Sequence, residues 1–380
     1  MPSSIYIGLI SGTSMDAVDC ALVDFNGGKP TQLDFINTEI PDDLRQKLLY
    51  LCEDHTNQIP LLGETDVEFA RLLALSVNQI LEINGLKPSQ IAAIGSHGQT
   101  IRHMPHKNVS NYPFTIQIGD PNTIAELTNI TTVADFRRRD LAAGGQGAPI
   151  VPAFHRMIFS SSENDRLIIN IGGMANITVL KKTGEISGHD TGPGNVLMDL
   201  WVQQHLGHPY DKDGSWASSG KVDENLLSTL LDEPYFQLPP PKSTGRELFN
   251  LHWLNSKLAE LNQAIAPENV QATLLALTMQ TITDAIKKEL GKGQIIVCGG
   301  GAYNSALMHE LAQSLSSFEV MPSSRLGVME DSMEAVAFAW LAKQTLSRQP
   351  VDFTDITGSA HPLIAGGVYF AGKRVTRNAC

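Results

Sequence analysis

The sequence predicts an α/β protein of two similar domains, and three observations carry that prediction. The chain has 380 residues, more than one hydrophobic core usually supports. An order of three strands followed by alternating helices and strands runs through it twice. Each run opens on a glycine-containing turn between its first two strands, SGTSMD (Ser11 to Asp16) and GGMAN (Gly172 to Asn176).

The first run begins with IYIGLI, which alternates like a strand, turns through SGTS and returns as VDCALVDF. Gly27, Gly28 and Pro30 punctuate the next turn, and TQLDFINTE reads as a third strand. Leu44, Leu48 and Leu51 share one face of a helix predicted from Pro41. A longer helix is expected from Thr65 to Asn84, where Gly85 stops it. Strand IAAIGS, a loop, strand FTIQIG, a short helix after Pro121 and strand TTVAD follow.

Beyond the loop RRRDLAAGGQGAP and a further helix, the order restarts with RLIINIG, a turn, ITVL and GEISGHD. Helices Gly194 to Leu206 and Pro267 to Leu290 come next. Strand QIIVCGG, a helix from Asn304, strand FEVMP and a helix from Glu330 to Thr345 complete it. The repeat is one of element order, not of residues. Two such domains are expected to face each other across a cleft that takes the ligand. The proline-rich LPPPKSTGRE is expected to be a loop over that cleft.

Lys and Arg number 28 against 40 Asp and Glu, a formal charge of -12, which argues against nucleic acid or an anionic membrane as partner. A phosphate must then be held locally, by backbone amides, helix ends and a metal ion. No window approaches the roughly 18 apolar residues of a membrane span. No basic leader precedes an apolar run, so no signal peptide is expected. Cys20, Cys52, Cys298 and Cys380 form no CxxC pair. A reducing cytoplasm fits this cysteine usage.

GxxxxGK[ST], HExxH and GxSxG are absent, and GGGAYN lacks the third glycine of a dinucleotide fingerprint. In SGTSMD, Gly12 lets the backbone approach a phosphate, and Thr13 and Ser14 add hydroxyl donors. Asp16 is placed to hold a magnesium ion through water. Alone, either glycine turn reads equally well as a plain hairpin. In IIVCGGGAYNSALMHEL, Gly299, Gly300 and Gly301 offer bare backbone to a ring or ribose. Asn304 is placed to cap the helix that follows, whose N-terminus favours phosphate.

In GHDTGPGNVLMD, residues 188 to 199, Asp190 stands between a histidine and a run of small and rigid residues. It reads either as a base fixed at a strand end or as a helix N-cap. His97 and Gln99 of GSHGQT follow a buried strand and are candidates for ligand contacts. Arg137, Arg138 and Arg139 form a charge run, by default a solvated face. Glu330 opens a predicted helix, where it either lines the ligand or favours the helix dipole. Arg246 and Glu247 are weaker candidates.

The three glycine-bearing segments, in this order, resemble the phosphate-1, phosphate-2 and adenosine loops of the actin, sugar-kinase and Hsp70 superfamily. Within it, GTSMDAVD, SHGQT, FRRRDLAAGGQGAP, NIGGMANIT, DTGPGN, KSTGRE and LGVMEDSMEA together resemble the anhydro-N-acetylmuramic acid kinase family. The resemblance spans about Gly8 to Ala335; Ala17 stands where the family motif GTSxDGxD has its second glycine.

The implied fold is α/β, with two ribonuclease H-like domains of the actin and sugar-kinase type. Each is a mixed sheet flanked by helices, with an active-site cleft between them. The expected division is 1-135 with 350-380 for one domain and 136-349 for the other. The implied cofactors are ATP and Mg2+. The ATP- and phosphate-binding set is Gly12, Thr13, Ser14, Met15, Asp16, Ala17, Val18 and Asp19, then Gly172, Gly173 and Asn176, then Gly299, Gly300, Gly301 and Asn304.

The implied reaction opens the 1,6-anhydro bond of anhydro-N-acetylmuramic acid with water and phosphorylates O6, with Asp190 as the base. Substrate contacts are expected from His97, Gln99, Arg137, Arg138 and Glu330, with an arginine pairing with the lactyl carboxylate. The partners implied are the sugar and ATP, and a homodimer is compatible. The alternative is a nucleotide switch of the actin or Hsp70 kind, without a sugar substrate.

Overall fold

The structure, a computed structural model, describes residues 3–12, 15–27, 29–53, 55–105, 111–240, 242–246, 248–261 and 263–372. Thr13, Ser14, Gly28, Glu247 and Cys380 therefore lie outside the described residues. In chain order the chain forms β1 (Ile5–Ser11), β2 (Ala17–Asp24), β3 (Thr31–Glu39), α1 (Asp42–Cys52) and α2 (Gln58–Ile83). Then come β4 (Ile91–Ser96), β5 (Gln99–Met104), β6 (Phe114–Ile118), α3 (Pro121–Thr128) and β7 (Thr132–Ala134). Next are α4 (Phe136–Ala142), α5 (Val151–Phe159), β8 (Arg166–Ile171), β9 (Met174–Leu180) and β10 (Ile186–Pro193). These lead to α6 (Val196–Leu206), α7 (Ser215–Ser219), α8 (Glu224–Leu231), α9 (Leu251–Glu260) and α10 (Pro267–Glu289). The chain ends with β11 (Gly293–Cys298), α11 (Ser305–Ser314), β12 (Phe318–Pro322), α12 (Met333–Leu346), α13 (Thr354–Thr357) and β13 (Gly367–Tyr369).

Two units emerge, Met1–Phe154 with Ser332–Cys380, and His155–Asp331. In the first, the sheet order is β13-β7-β4-β1-β2-β3. Here β1, β2 and β3 form an antiparallel meander, while β4 and β7 run parallel to β1. In the second, the order β10-β9-β8-β11-β12 repeats the plan. Strands β8, β9 and β10 make the meander, and β11 and β12 are parallel to β8. This is the ribonuclease H-like arrangement expected, twice.

Alternation dictates the two cores. Ile7, Leu9, Val18 and Leu22 pack with Leu44, Leu48, Phe69, Leu73 and Val77 of α1 and α2 in the first unit. Ile169, Ile177 and Ile295 pack with Trp201, Leu274 and Leu277 of α6 and α10 in the second.

Three expectations need correction. The unit boundaries fall after Phe154 and before Ser332, not at 135 and 350. The cause is α12, which lies on β1 and β4: a Cβ at Gly8 would sit 1.8 Å from the Ala335 carbonyl oxygen, and one at Gly95 2.0 Å from that of Phe338. Glycines there let helix and sheet backbones touch, which binds α12 to the first sheet. Next, α2 starts at Gln58 rather than Thr65, because Pro60 falls in the first helical turn, where its missing N–H costs nothing. Finally, α12 starts at Met333, so Glu330 does not open a helix.

Candidate active site

In the second unit, β9 and β10 pair with Asp190 opposite Asn176, and the register slips between Asp190 and Gly192. Such a bulge bends a strand and re-aims its side chains. The glycines that follow have steric causes. A Cβ at Gly192 would meet the Phe236 ring at 2.7 Å, and one at Gly194 would meet the Gly172 carbonyl at 2.3 Å. The Gly194 amide donates to Gly173 O and the Asn195 amide to Gly172 O, each at 2.8 Å. DTGPGN thus fastens the strand end onto the glycine turn between β8 and β9.

Asp190 is half-buried. Its Oδ2 accepts the Thr244 amide at 3.0 Å, its own amide donates to Lys242 O at 3.1 Å, and its carbonyl accepts the Tyr235 hydroxyl at 2.8 Å. It caps no helix, since Asn195 occupies the position before α6. Lys242 and Thr244 of LPPPKSTGRE therefore lie against Asp190, a contact that spacing alone does not reveal. Of the glycine turn, Gly172 and Gly173 form the corner, while Asn176 belongs to β9 rather than to the turn.

The triple-glycine turn is equally determined. Gly299 has φ +83°, and a Cβ there would lie 2.4 Å from Asn170 Oδ1. A Cβ at Gly301 would lie 2.4 Å from Ile171 Cγ2, while Gly300 is exposed. Asn304 caps α11 through the Leu307 amide at 3.1 Å, as expected. Glu330 is brought to this turn: its carbonyl accepts the Gly299 amide at 2.7 Å. Its buried carboxylate accepts from Ser324 and from the Tyr303 hydroxyl. The structure therefore groups Glu330 with the triple-glycine turn, not with a helix end.

In the first unit, β1 and β2 join through the Gly12 turn, with Met15 in left-handed geometry (φ 53°) and its side chain buried. Asp16 is exposed; its Oδ1 accepts the Ala17 amide at 3.0 Å and its carbonyl accepts the Ile40 amide at 2.9 Å. Ala17, Val18 and Asp19 belong to β2. Val18 is core, and Asp19 accepts from Asn37 at 2.6 Å. Ala17 needs no left-handed backbone, so alanine fits where the family motif has glycine.

His97 is buried and carries no charge. Burial, then the Arg137 guanidinium, holds its imidazole well below its ordinary range. Arg137 Nε donates to His97 Nε2 at 2.8 Å, which leaves Nδ1–H to donate to the Gly98 carbonyl at 2.9 Å. Arg137 also donates to Gly147 O at 2.9 Å. Burial lowers it to about 10, opposed by Glu334 and Asp140. Asp140 accepts the Gly147 amide at 2.7 Å and the Thr357 hydroxyl at 2.8 Å. A Cβ at Gly145 would lie 2.3 Å from Asp140 Oδ2, which explains the small residues of AAGGQGAP.

The charge run separates accordingly. Arg137 is built into the His97 network, whereas Arg138 and Arg139 are exposed, with Arg138 paired to Asp135. Gln99 is buried; its Nε2 donates to Thr100 O, but its Oε1 finds no partner among the described residues, and the same holds for Ser11 Oγ and Ser96 Oγ. Buried polar atoms normally have partners. These three lie at or just past the C-terminal ends of β1 and β4, where α/β sheets bind ligands. Nothing in the sequence marks Ser96 for this.

Three buried histidines predict an acid-sensitive fold. Burial pushes His155 down to about 3 and His189 to about 4, the latter helped by Lys242 and Lys288; His97 is shifted the same way. The unfolded chain protonates each near pH 6.5, whereas the folded chain does so only at lower pH. Stability is therefore fully present above pH 6.5 and falls as pH drops toward 4. The slope is about 1.4 kcal/mol per pH unit for each such histidine. Urea unfolding at pH 7.5 and pH 5 checks this, and a His155→Phe variant should lose about a third of the difference.

Against known proteins, a family model described as anhydro-N-acetylmuramic acid kinase matches residues 4–371. A curated relative from Saccharophagus degradans, named anhydro-N-acetylmuramic acid kinase, is 47% identical over 369 residues, covering 97% of this chain and 100% of its own. One of that name from Coxiella burnetii (strain Dugway 5J108-111) is 48% identical over 377 residues, covering 98% and 99%. Another from Photobacterium profundum is 48% identical over 372 residues, covering 96% and 98%.

Proposed function

Because the chain belongs to the anhydro-N-acetylmuramic acid kinase family, we propose that Asp190 is the base of its reaction. The enzyme uses ATP to open 1,6-anhydro-N-acetylmuramic acid and phosphorylate its O6, giving N-acetylmuramic acid 6-phosphate and ADP. The relatives match over nearly the full length of both chains, so the nucleotide-switch alternative is not favoured. A cytoplasmic location, where ATP is supplied, is part of this proposal. Among the described residues, no helix is long and apolar enough to cross a membrane.

The oxygen to be phosphorylated carries no proton, since it is tied back to carbon 1. The proton to be removed belongs to water. Water oxygen bonds to carbon 1, Asp190 accepts the proton, and the bond from carbon 1 to O6 breaks. O6 takes the γ-phosphoryl group while the bridging oxygen leaves with ADP. The observation that carries the reading is Asp190 itself: a half-buried carboxylate at a bulged strand end, its plane fixed by the Thr244 amide.

The Gly12 turn, Gly172 and Gly173 are assigned to phosphates, and Gly299 to Gly301 to the nucleoside. Asn176, Val18 and Asp19 support these turns from within strands. Glu330 braces the nucleoside turn through Gly299 and Tyr303. His97, Gln99 and Arg137 are assigned to the sugar. The orphaned acceptor of Gln99 and the hydroxyls of Ser11 and Ser96 support that assignment. Arg137 is the arginine proposed for the lactyl carboxylate, since it is half-buried while Arg138 and Arg139 are exposed.

For the metal, the described residues contain no cluster of three ligating side chains, yet Asp16 is exposed at the head of β2. One carboxylate beside nucleotide phosphates is a donor set that suits magnesium, which keeps several waters. Asp16 would hold the ion, and the ion would neutralise charge on the phosphates.

The test is coupled. Protein with magnesium-ATP should release ADP only when anhydro-N-acetylmuramic acid is added. Turnover of ATP at the same rate without the sugar would replace the kinase reading with the switch.

A further inference from the structure

Strand β10 is the outer strand of its sheet among the described residues, and its outer edge takes a backbone partner from another segment. The segment from Lys242 to Thr244 supplies one. It accepts the Asp190 amide through Lys242 O at 3.1 Å and donates the Thr244 amide to Oδ2 at 3.0 Å. Within three residues it grips both the backbone and the carboxylate of the proposed base.

Such a loop cannot hold a carboxylate unless it is itself held. Its anchor is the Lys242 side chain, whose Nζ donates to the carbonyls of Tyr235 at 3.2 Å and Phe236 at 3.3 Å. The same ammonium lies 4.6 Å from the centre of the Tyr235 ring, within the range of cation–π attraction. The circuit closes through Tyr235, whose hydroxyl donates to the Asp190 carbonyl at 2.8 Å. Tyr235 is seated edge-on against Phe249, and the Phe236 ring fills the space a side chain at residue 192 would need. Lysine, tyrosine and aspartate thus form one ring of contacts around the bulge.

We propose that Lys242 is a positioning residue for the reaction, acting through the Thr244 amide to fix the plane and charge of the Asp190 carboxylate. This rests on Asp190 being the base. An amide aimed at one carboxylate oxygen favours the ionised form and removes rotation about the last side-chain bond. A base misplaced by about 1 Å costs up to ~100-fold in rate. The hydrogen bonds that make up this circuit do not involve Gly299 to Gly301, so ATP binding should be indifferent to their loss.

The experiment compares Lys242→Met, of similar length without the charge, with Lys242→Arg, which can still donate to two carbonyls. Lys242→Met is expected to lower kcat by about 10- to 100-fold, with KM for ATP within about twofold. The acid limb of its kcat profile should move to higher pH, since the amide favouring the charged carboxylate is lost. Lys242→Arg should recover most of both. A merely structural lysine would lower thermal stability and the active fraction but leave the acid limb in place, and that result overturns the proposal. Should Lys242→Met be insoluble, Tyr235→Phe, which drops only the hydroxyl, is judged on the same two readouts. If Asp190→Asn retains turnover, the base assignment itself fails. If Asp190→Asn is dead while Lys242→Met keeps a normal kcat and acid limb, the base stands and Lys242 has no part in placing it.

Discussion

Asp190→Asn should lower kcat by roughly 10²- to 10⁴-fold, the range that removal of a general base produces. The substitution is nearly isosteric. Its amide oxygen can still accept the Thr244 N–H that Oδ2 accepts at 3.0 Å, and the backbone bonds to Lys242 and Tyr235 do not involve the side chain. The bulge, the glycine contacts and the fastening of Gly194 to Gly173 therefore survive. What disappears is the capacity to take a proton from water. Affinity for sugar and for ATP, measured by calorimetry, should change little, while ADP release in the presence of sugar collapses. The residual rate should lose its acid limb, since no carboxylate is left to titrate. Turnover near that of the parent would take the base role away from Asp190 and leave the family assignment intact.

The second large effect is on stability. Gly95→Ala, or Gly8→Ala, is expected to destabilise the protein by about 3 kcal/mol or more, at the upper end of overpacking costs. The added methyl would sit 2.0 Å from the Phe338 carbonyl oxygen in one case and 1.8 Å from that of Ala335 in the other. Both obstacles are backbone, so no rotamer change relieves them. Helix α12 would have to lift from β1 and β4, exposing Val336, Phe338 and Ala339, all now buried. Urea unfolding followed by circular dichroism measures the loss as a lower midpoint. Gly63→Ala is the control: it lies inside α2 with nothing within 4 Å of the new methyl. It should stabilise the protein by up to about 1 kcal/mol through helix propensity. Equal behaviour of the two substitutions would mean that the α12 contact is looser than described.

Much of the fold is legible because its signals are local. Alternation in IYIGLI and RLIINIG, the turn glycines and the Asn304 cap depend on neighbours a few residues away, and each forms where expected. Helix ends were harder. The early start of α2 hinged on whether Pro60 sits in a first turn or breaks the chain, and the local pattern permits both. The start of α12 was misplaced because Glu330 before an apolar run looks like a first-turn acid, whereas it turns back to the Gly299 amide.

The site divides along the same line. Asp190, His97 and the three glycine turns are marked by compact motifs whose small residues betray a close approach. KSTGRE stands out as a motif, but the grip of Lys242 and Thr244 on Asp190, and Tyr235 altogether, are not marked, because their value comes from segments more than forty residues downstream folding back on β10. The arginine run shows the limit most plainly. Arg137, Arg138 and Arg139 are indistinguishable as text, and helical rotation alone sends the first into the His97 network and leaves the others in solvent.

The order of amino acids by itself determined the two-fold repeat of strands and helices, the family and the carboxylate to watch. Tertiary structure alone decided where each unit ends, which arginine turns inward and what holds the carboxylate still. The reason is physical: periodicity and turn chemistry act over a few bonds, whereas burial and hydrogen-bond partnership are set by whichever distant segment the closed chain brings alongside.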